Sequence, residues 1–127
     1  IAGLVSITAD PLSPTGGTAV LVGALGGALV YVSILFLEKK GIDDPVGAIS
    51  AHGTVGIYGV LVVSLTGGAD FLGQLTGVVM IAAFTYIASL GVIYAINFVM
   101  PIRATDEEQD AGLDISEVGI EAYPEFD

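Results

Sequence analysis

Three long apolar stretches, each closed by a helix stop signal, limit this chain more than any other feature. The first runs from about Pro14 to Leu37, the second from Pro45 to about Leu65, the third from about Phe71 to Met100. About 20 apolar residues in helical form cross a hydrocarbon core of roughly 30 Å. Apolar runs of this length predict membrane-spanning helices. The expected fold is all-α, a polytopic transmembrane helix bundle.

The boundaries carry their own chemistry. Ser13-Pro14 reads as an N-cap with proline at the first helical position. Glu38-Lys39-Lys40-Gly41 puts basic residues in the last turn with a glycine behind them. Asp44-Pro45 repeats the start signal, and Thr66–Asp70 reads as a short turn. The third span is longer than a bilayer needs and stops at Pro101. The expected spans are 14–40, 45–66 and 70–102, with 103–127 as an acidic tail. Ile1 to about Ala9 is expected to be the end of a helix whose beginning belongs to a larger protein.

Composition supports the membrane reading. The chain is 54% hydrophobic and contains no cysteine. Its net charge is -11, from 14 acidic and 3 basic residues, and nine of the acids lie between Arg103 and Asp127. The charge therefore belongs to the tail. Nucleic-acid binding needs a basic surface, and none is present. Lys39, Lys40 and Arg103 fall on one side of the membrane if the spans alternate. The positive-inside rule makes that side, and the tail, cytoplasmic.

His52 is the only histidine, and it lies inside the second span. An ionisable group in a membrane segment is costly and marks a functional position by default. Asp44 precedes it by eight residues, or about 12 Å of helix rise, which puts His52 near mid-membrane. In an α-helix its neighbours are Ala48, Ile49, Val55 and Gly56, with Gly59 continuing the stripe. Such a small-residue face can line a lumen or admit a second helix. A neutral imidazole, with one donor and one acceptor, can relay a proton or pin two helices, and the residues leave both open. A metal site lacks a second histidine or cysteine. Ser50 lies on another helical face and no nucleophile motif surrounds it. No enzyme activity and no cofactor are expected.

Gly23, Gly26, Gly27, Gly53, Gly56, Gly59, Gly73, Gly77 and Gly91 lie inside the spans, as expected where helix backbones approach closely. The tail is not a plain charge run. Leu113, Ile115, Val118, Ile120, Tyr123 and Phe126 alternate with acids, so it is expected to dock on a surface.

Three stretches resemble the C-terminal part of the ammonium transporter (Amt/Rh) family. They are Ala2–Thr8, then Gly41-Ile-Asp-Asp-Pro45 with His52-Gly-Thr-Val-Gly56 and Gly59, and the tail Gly112–Gly119 with Glu121-Ala-Tyr123. The resemblance implies the last three helices, and the end of a fourth, of an eleven-helix subunit in a homotrimer. It implies conduction of ammonium or ammonia through a hydrophobic pore in the cell membrane, completed by the N-terminal helices of the same subunit. By this resemblance His52 is the second of two pore histidines, Ala48 lines the narrow conduit and Thr8 lies near the external entry. Asp43 and Asp44 match an acidic pair at the cytoplasmic end of the histidine helix. Gly112, Leu113, Asp114, Glu121 and Tyr123 match the regulatory tail, and a PII signalling protein is the implied partner. The chain departs from the family after Thr8, at Val118, and in the small residues before His52. An ammonium sensor built on the same fold is the alternative, favoured by an output domain beyond the tail. A purely structural subunit is the third reading.

Overall fold

The computed structural model describes residues 1–121 and Pro124. Among the described residues the regular structure is helical throughout. The chain divides into two compact units, Ile1–Ala83 and Phe84–Asp127.

The first unit opens with the short helix α1 (Ala2–Val5). Turns follow, braced by the Asp10 carboxylate accepting the Ser13 N–H. Helix α2 covers Gly16–Lys39, about 36 Å at 1.5 Å per residue. It starts two residues after the expected proline. Thr15, not Ser13, is the N-cap, and its hydroxyl accepts the Thr18 N–H at 3.3 Å. Lys40 ends α2, its ammonium 5.7 Å from the Phe36 ring centre.

The second span departs further from the expected start. Pro45 and Val46 form a turn, not the first turn of a helix. Regular helix begins as a π-helical segment, Ile49–Thr54, and continues as α3 (Val55–Thr66). The reason is the reach of one side chain. Asp44 does not cap the residues next to it. Its carboxylate accepts the N–H of Ile49 at 2.9 Å and of Ser50 at 3.0 Å. The cap thus spans a loop that contains the proline and Gly47, at φ 66°.

Ser6 is the packing centre of this unit. It is 1% exposed, and its hydroxyl donates to the Gly3 carbonyl at 2.7 Å, with the Val22 carbonyl as a longer alternative at 3.3 Å. A Cβ on Gly26 would meet the Ser6 Oγ at 2.8 Å, and one on Gly59 would meet the Ser6 carbonyl oxygen at 2.8 Å. On Gly3 it would meet the Gly23 carbonyl oxygen at 2.9 Å. Gly3 and Gly59 let backbone meet backbone, and Gly26 leaves room for the Ser6 side chain, as in membrane helix packing. Gly27, Gly56, Gly77 and Gly91 have no atom of this chain within 4 Å of such a Cβ. Tyr58 adds a hydroxyl bond to the Val22 carbonyl at 3.4 Å.

Helix α4 covers Phe71–Val99 and has no buried residue. Asp70 receives the Gly73 N–H at 2.6 Å at its start, and Asn97 receives the Ile102 N–H at 3.1 Å beyond its end. Helix α2, the Ile49–Thr66 stretch and α4 are each long and apolar enough to cross a membrane.

In the second unit, α5 (Asp106–Ala111) is opened by a capping box between Thr105 and Glu108. A short π-helical turn, Asp114–Val118, follows. Gly112 (φ 90°) and Gly119 (φ 71°) bound that turn. Both need positive φ, which a side chain resists.

Candidate functional site

His52 sits within the π-helical segment, between buried Ser50 and half-buried Thr54, and is exposed. The face it shares differs from the α-helical expectation. Val55 is fully buried, and Gly59 packs on the Ser6 backbone. The Val55–Gly59–Val63 stripe is therefore the packing face of α3, and the imidazole lies off it. The cause is the wide turn. The Val55 N–H donates to the Ser50 carbonyl, five residues back. Each extra residue in a turn rotates the downstream helix by roughly 100° relative to an unbroken α-helix. Regular α-helical spacing groups His52 with Val55 and Gly59; the structure separates them.

Asp44 sits at the mouth of this segment. Partial loss of hydration pushes its carboxyl up. The N–H groups of Ile49, Ser50 and Ala48, with the Ser50 hydroxyl, outweigh that and hold it below the usual carboxylate range. The Ser50 hydroxyl is fully buried and lies beside the carboxylate, though outside hydrogen-bond geometry. Asp43 and Asp44 line a cavity of about 380 Å³ with Glu38, Ile34, Leu37 and Ile42. A second, almost wholly apolar cavity of about 460 Å³ is lined by Leu29, Thr54, Ile57, Tyr58 and Phe71, among others.

The other expected residues lie apart. Ala48 is exposed just ahead of the π segment. Thr8 is exposed, and its hydroxyl donates to the Val5 carbonyl at 2.8 Å. Among the described residues no hydrogen bond joins Thr8, Ala48 and His52. In the tail, Leu113 and Ile115 are exposed within their unit, and Glu121 is exposed. Tyr123 lies outside the described residues. Among the described residues no group of three acidic, histidine or cysteine side chains could hold a metal ion.

Several site features were not foreseen from the sequence. Thr105-x-x-Glu108 is a capping-box signature that the sequence does display. The bond between Ser33 Oγ and Thr54 Oγ1, 2.9 Å across from α2, and the π turn itself carry no local sequence signal.

A family model described as Ammonium Transporter Family matches residues 1–123. The chain belongs to the ammonium transporter family. Ammonium transporter Amt1 of Haloferax mediterranei is 36% identical over 132 residues, covering 99% of this chain and 26% of that protein. Ammonium transporter Amt2 of Methanocaldococcus jannaschii is 32% identical, covering 98% of this chain and 32% of that protein. The ammonium transporter of Bacillus subtilis is also 32% identical, covering 97% and 35%. The chain thus spans about a quarter to a third of the length of these relatives. Family membership and three membrane-length helices make it part of a membrane protein with a transmembrane helix bundle.

Proposed function

We propose that this chain is the part of an ammonium-transporting subunit that supplies one pore histidine. The observation that carries this is His52 itself. It is exposed on a membrane-length helix of an ammonium transporter family member, and no hydrogen bond engages its ring among the described residues. A polar ring in that position needs water, a substrate or another helix of the same subunit as its partner. Relatives named as ammonium transporters along nearly the whole chain support the substrate.

In this reading Ala48, His52 and Thr8 line the same path, with Thr8 at the external entry; the loop at 45–47 shortens the helical rise between Asp44 and His52 below the expected value of about 12 Å. Asp43 and Asp44 hold its cytoplasmic end, and Gly112, Leu113, Asp114, Glu121 and Tyr123 form a cytoplasmic regulatory segment. By resemblance the subunit assembles as a homotrimer in the cell membrane and meets a PII signalling protein at its cytoplasmic face.

The test is substitution in the full-length protein. His52→Ala and His52→Glu should change the rate of methylammonium uptake or the ion selectivity of ammonium-evoked currents. Wild-type rate and selectivity in both variants would remove His52 from the path.

A further inference from the structure

No hydrogen bond engages the His52 ring among the described residues, and within this chain the backbone beneath it sets its direction. That backbone is π-helical from Ile49 to Thr54. Such turns are rare and concentrate at functional positions. Relaxation to an α-helix would rotate His52 relative to the packing face of α3. The wide turn is held at both ends. At the start, Asp44 receives the Ile49 and Ser50 N–H groups. At the end, Thr54 Oγ1 meets Ser33 Oγ of α2 at 2.9 Å.

The choice that Thr54 makes is informative. Serine and threonine within helices usually bond a carbonyl of their own preceding turn. Ser64 does so with Leu61, and Thr66 with Val62. Thr54 instead bonds across to a neighbouring helix, and Ser33 is buried. In apolar surroundings an unpaired hydroxyl is costly, so each of the two restrains the other. Val55, next in the chain, is fully buried and keeps this end of the turn from moving alone.

We propose that Ser33 and Thr54 are positioning residues for His52, locking the wide turn in the register that aims the imidazole. This rests on the reading of His52 as a pore residue.

The experiment uses the full-length protein with Ser33→Ala, Thr54→Val, the double variant, Thr54→Ser and, in parallel, His52→Ala. Ammonium-evoked current and methylammonium uptake are measured across pH, with membrane level and oligomer assembly checked for each. Loss of one interhelical bond should lower transport about three- to tenfold and shift the pH profile in both single variants. The double variant should be no worse than either single one, and Thr54→Ser should restore the wild-type profile. If His52→Ala alters transport while Thr54→Val and Ser33→Ala keep the wild-type rate and profile, the positioning role is overturned and the pore reading stands. Strictly additive losses in the double variant also overturn it. If Thr54→Val fails to assemble, Ser33→Ala with Thr54→Ser and the exchanged pair Ser33→Thr/Thr54→Ser decide, because the exchange keeps both hydroxyls and must keep the profile. Wild-type behaviour of His52→Ala would bring down the pore reading and this inference with it.

Discussion

Gly59 meets Ser6 so closely that a Cβ on it would lie 2.8 Å from the Ser6 carbonyl oxygen. Backbone stands against backbone there, with no flexible side chain to yield. Gly59→Ala should therefore force α1 and α3 apart. Overpacking of this kind costs about 1–3 kcal/mol. The melting temperature of the full-length variant in detergent should fall. Gly56→Ala, whose added Cβ meets no atom of this chain within 4 Å, is the comparison and should lower the melting temperature less than Gly59→Ala. Equal melting of the two variants would contradict the packing described.

Asp44 should make the start of the histidine helix sensitive to acid. Its carboxyl binds a proton less readily in the folded protein than in the unfolded chain. The unfolded chain therefore takes up more protons as the pH falls. The stabilisation is complete above the ordinary carboxylate range, near pH about 4, and is lost as the pH drops through the lower folded-state value. The protection factors of the Ile49 and Ser50 amides, measured against the intrinsic exchange rate at each pH, should fall over that window. Asp44→Ala should show fast exchange at both amides at neutral pH. Protection unchanged in Asp44→Ala would show that the cap is dispensable.

Thr105→Ala should unravel α5. The substitution removes the oxygen that accepts the Glu108 N–H at 3.3 Å and breaks the reciprocal pair in which Glu108 accepts the Thr105 N–H at 2.8 Å. Thr105 N–H and hydroxyl also hold the Glu108 carboxyl below its usual range. Exchange across Asp106–Ala111 should quicken, and Thr105→Ser should retain protection. A helix as protected as wild type in Thr105→Ala would mean that the box contributes nothing.

Deleting residues from Ala111 onward in the full-length protein should lower transport or abolish its cytoplasmic regulation, with the spans still folded. The motive is a tail whose Leu113, Ile115, Val118 and Ile120 are exposed within their own unit. Exposed ion pairs contribute only about 0–1 kcal/mol each, so these side chains would supply most of any docking energy. Normal transport and normal regulation in the truncated protein would leave the tail a solvated appendage.

The fold class was legible because the signal for it is long. Three runs of apolar residues, ended by lysines, a glycine or a proline, admit little besides membrane-length helices. Family likeness was legible in short ordered motifs, among them Asp43-Asp44-Pro45 with His52-Gly53.

Other features depended on which partner each side chain took, and sequence pattern does not select among them. Helix starts moved because Thr15 and Asp44 found amide partners beyond those next to them. Val55 and Gly59 left the face of His52 because one turn widened, and a widened turn repays its poorer geometry only through contacts that sequence does not display. Ser33 and Thr54, 21 residues apart, became partners only when α2 packed beside the π segment. Chain composition by itself determined that this protein crosses a membrane in helices and carries a single histidine within one of them. Which way that histidine is aimed was decided by tertiary structure, because a side chain's direction on a helix depends on the turn beneath it, and that turn is held by its neighbours.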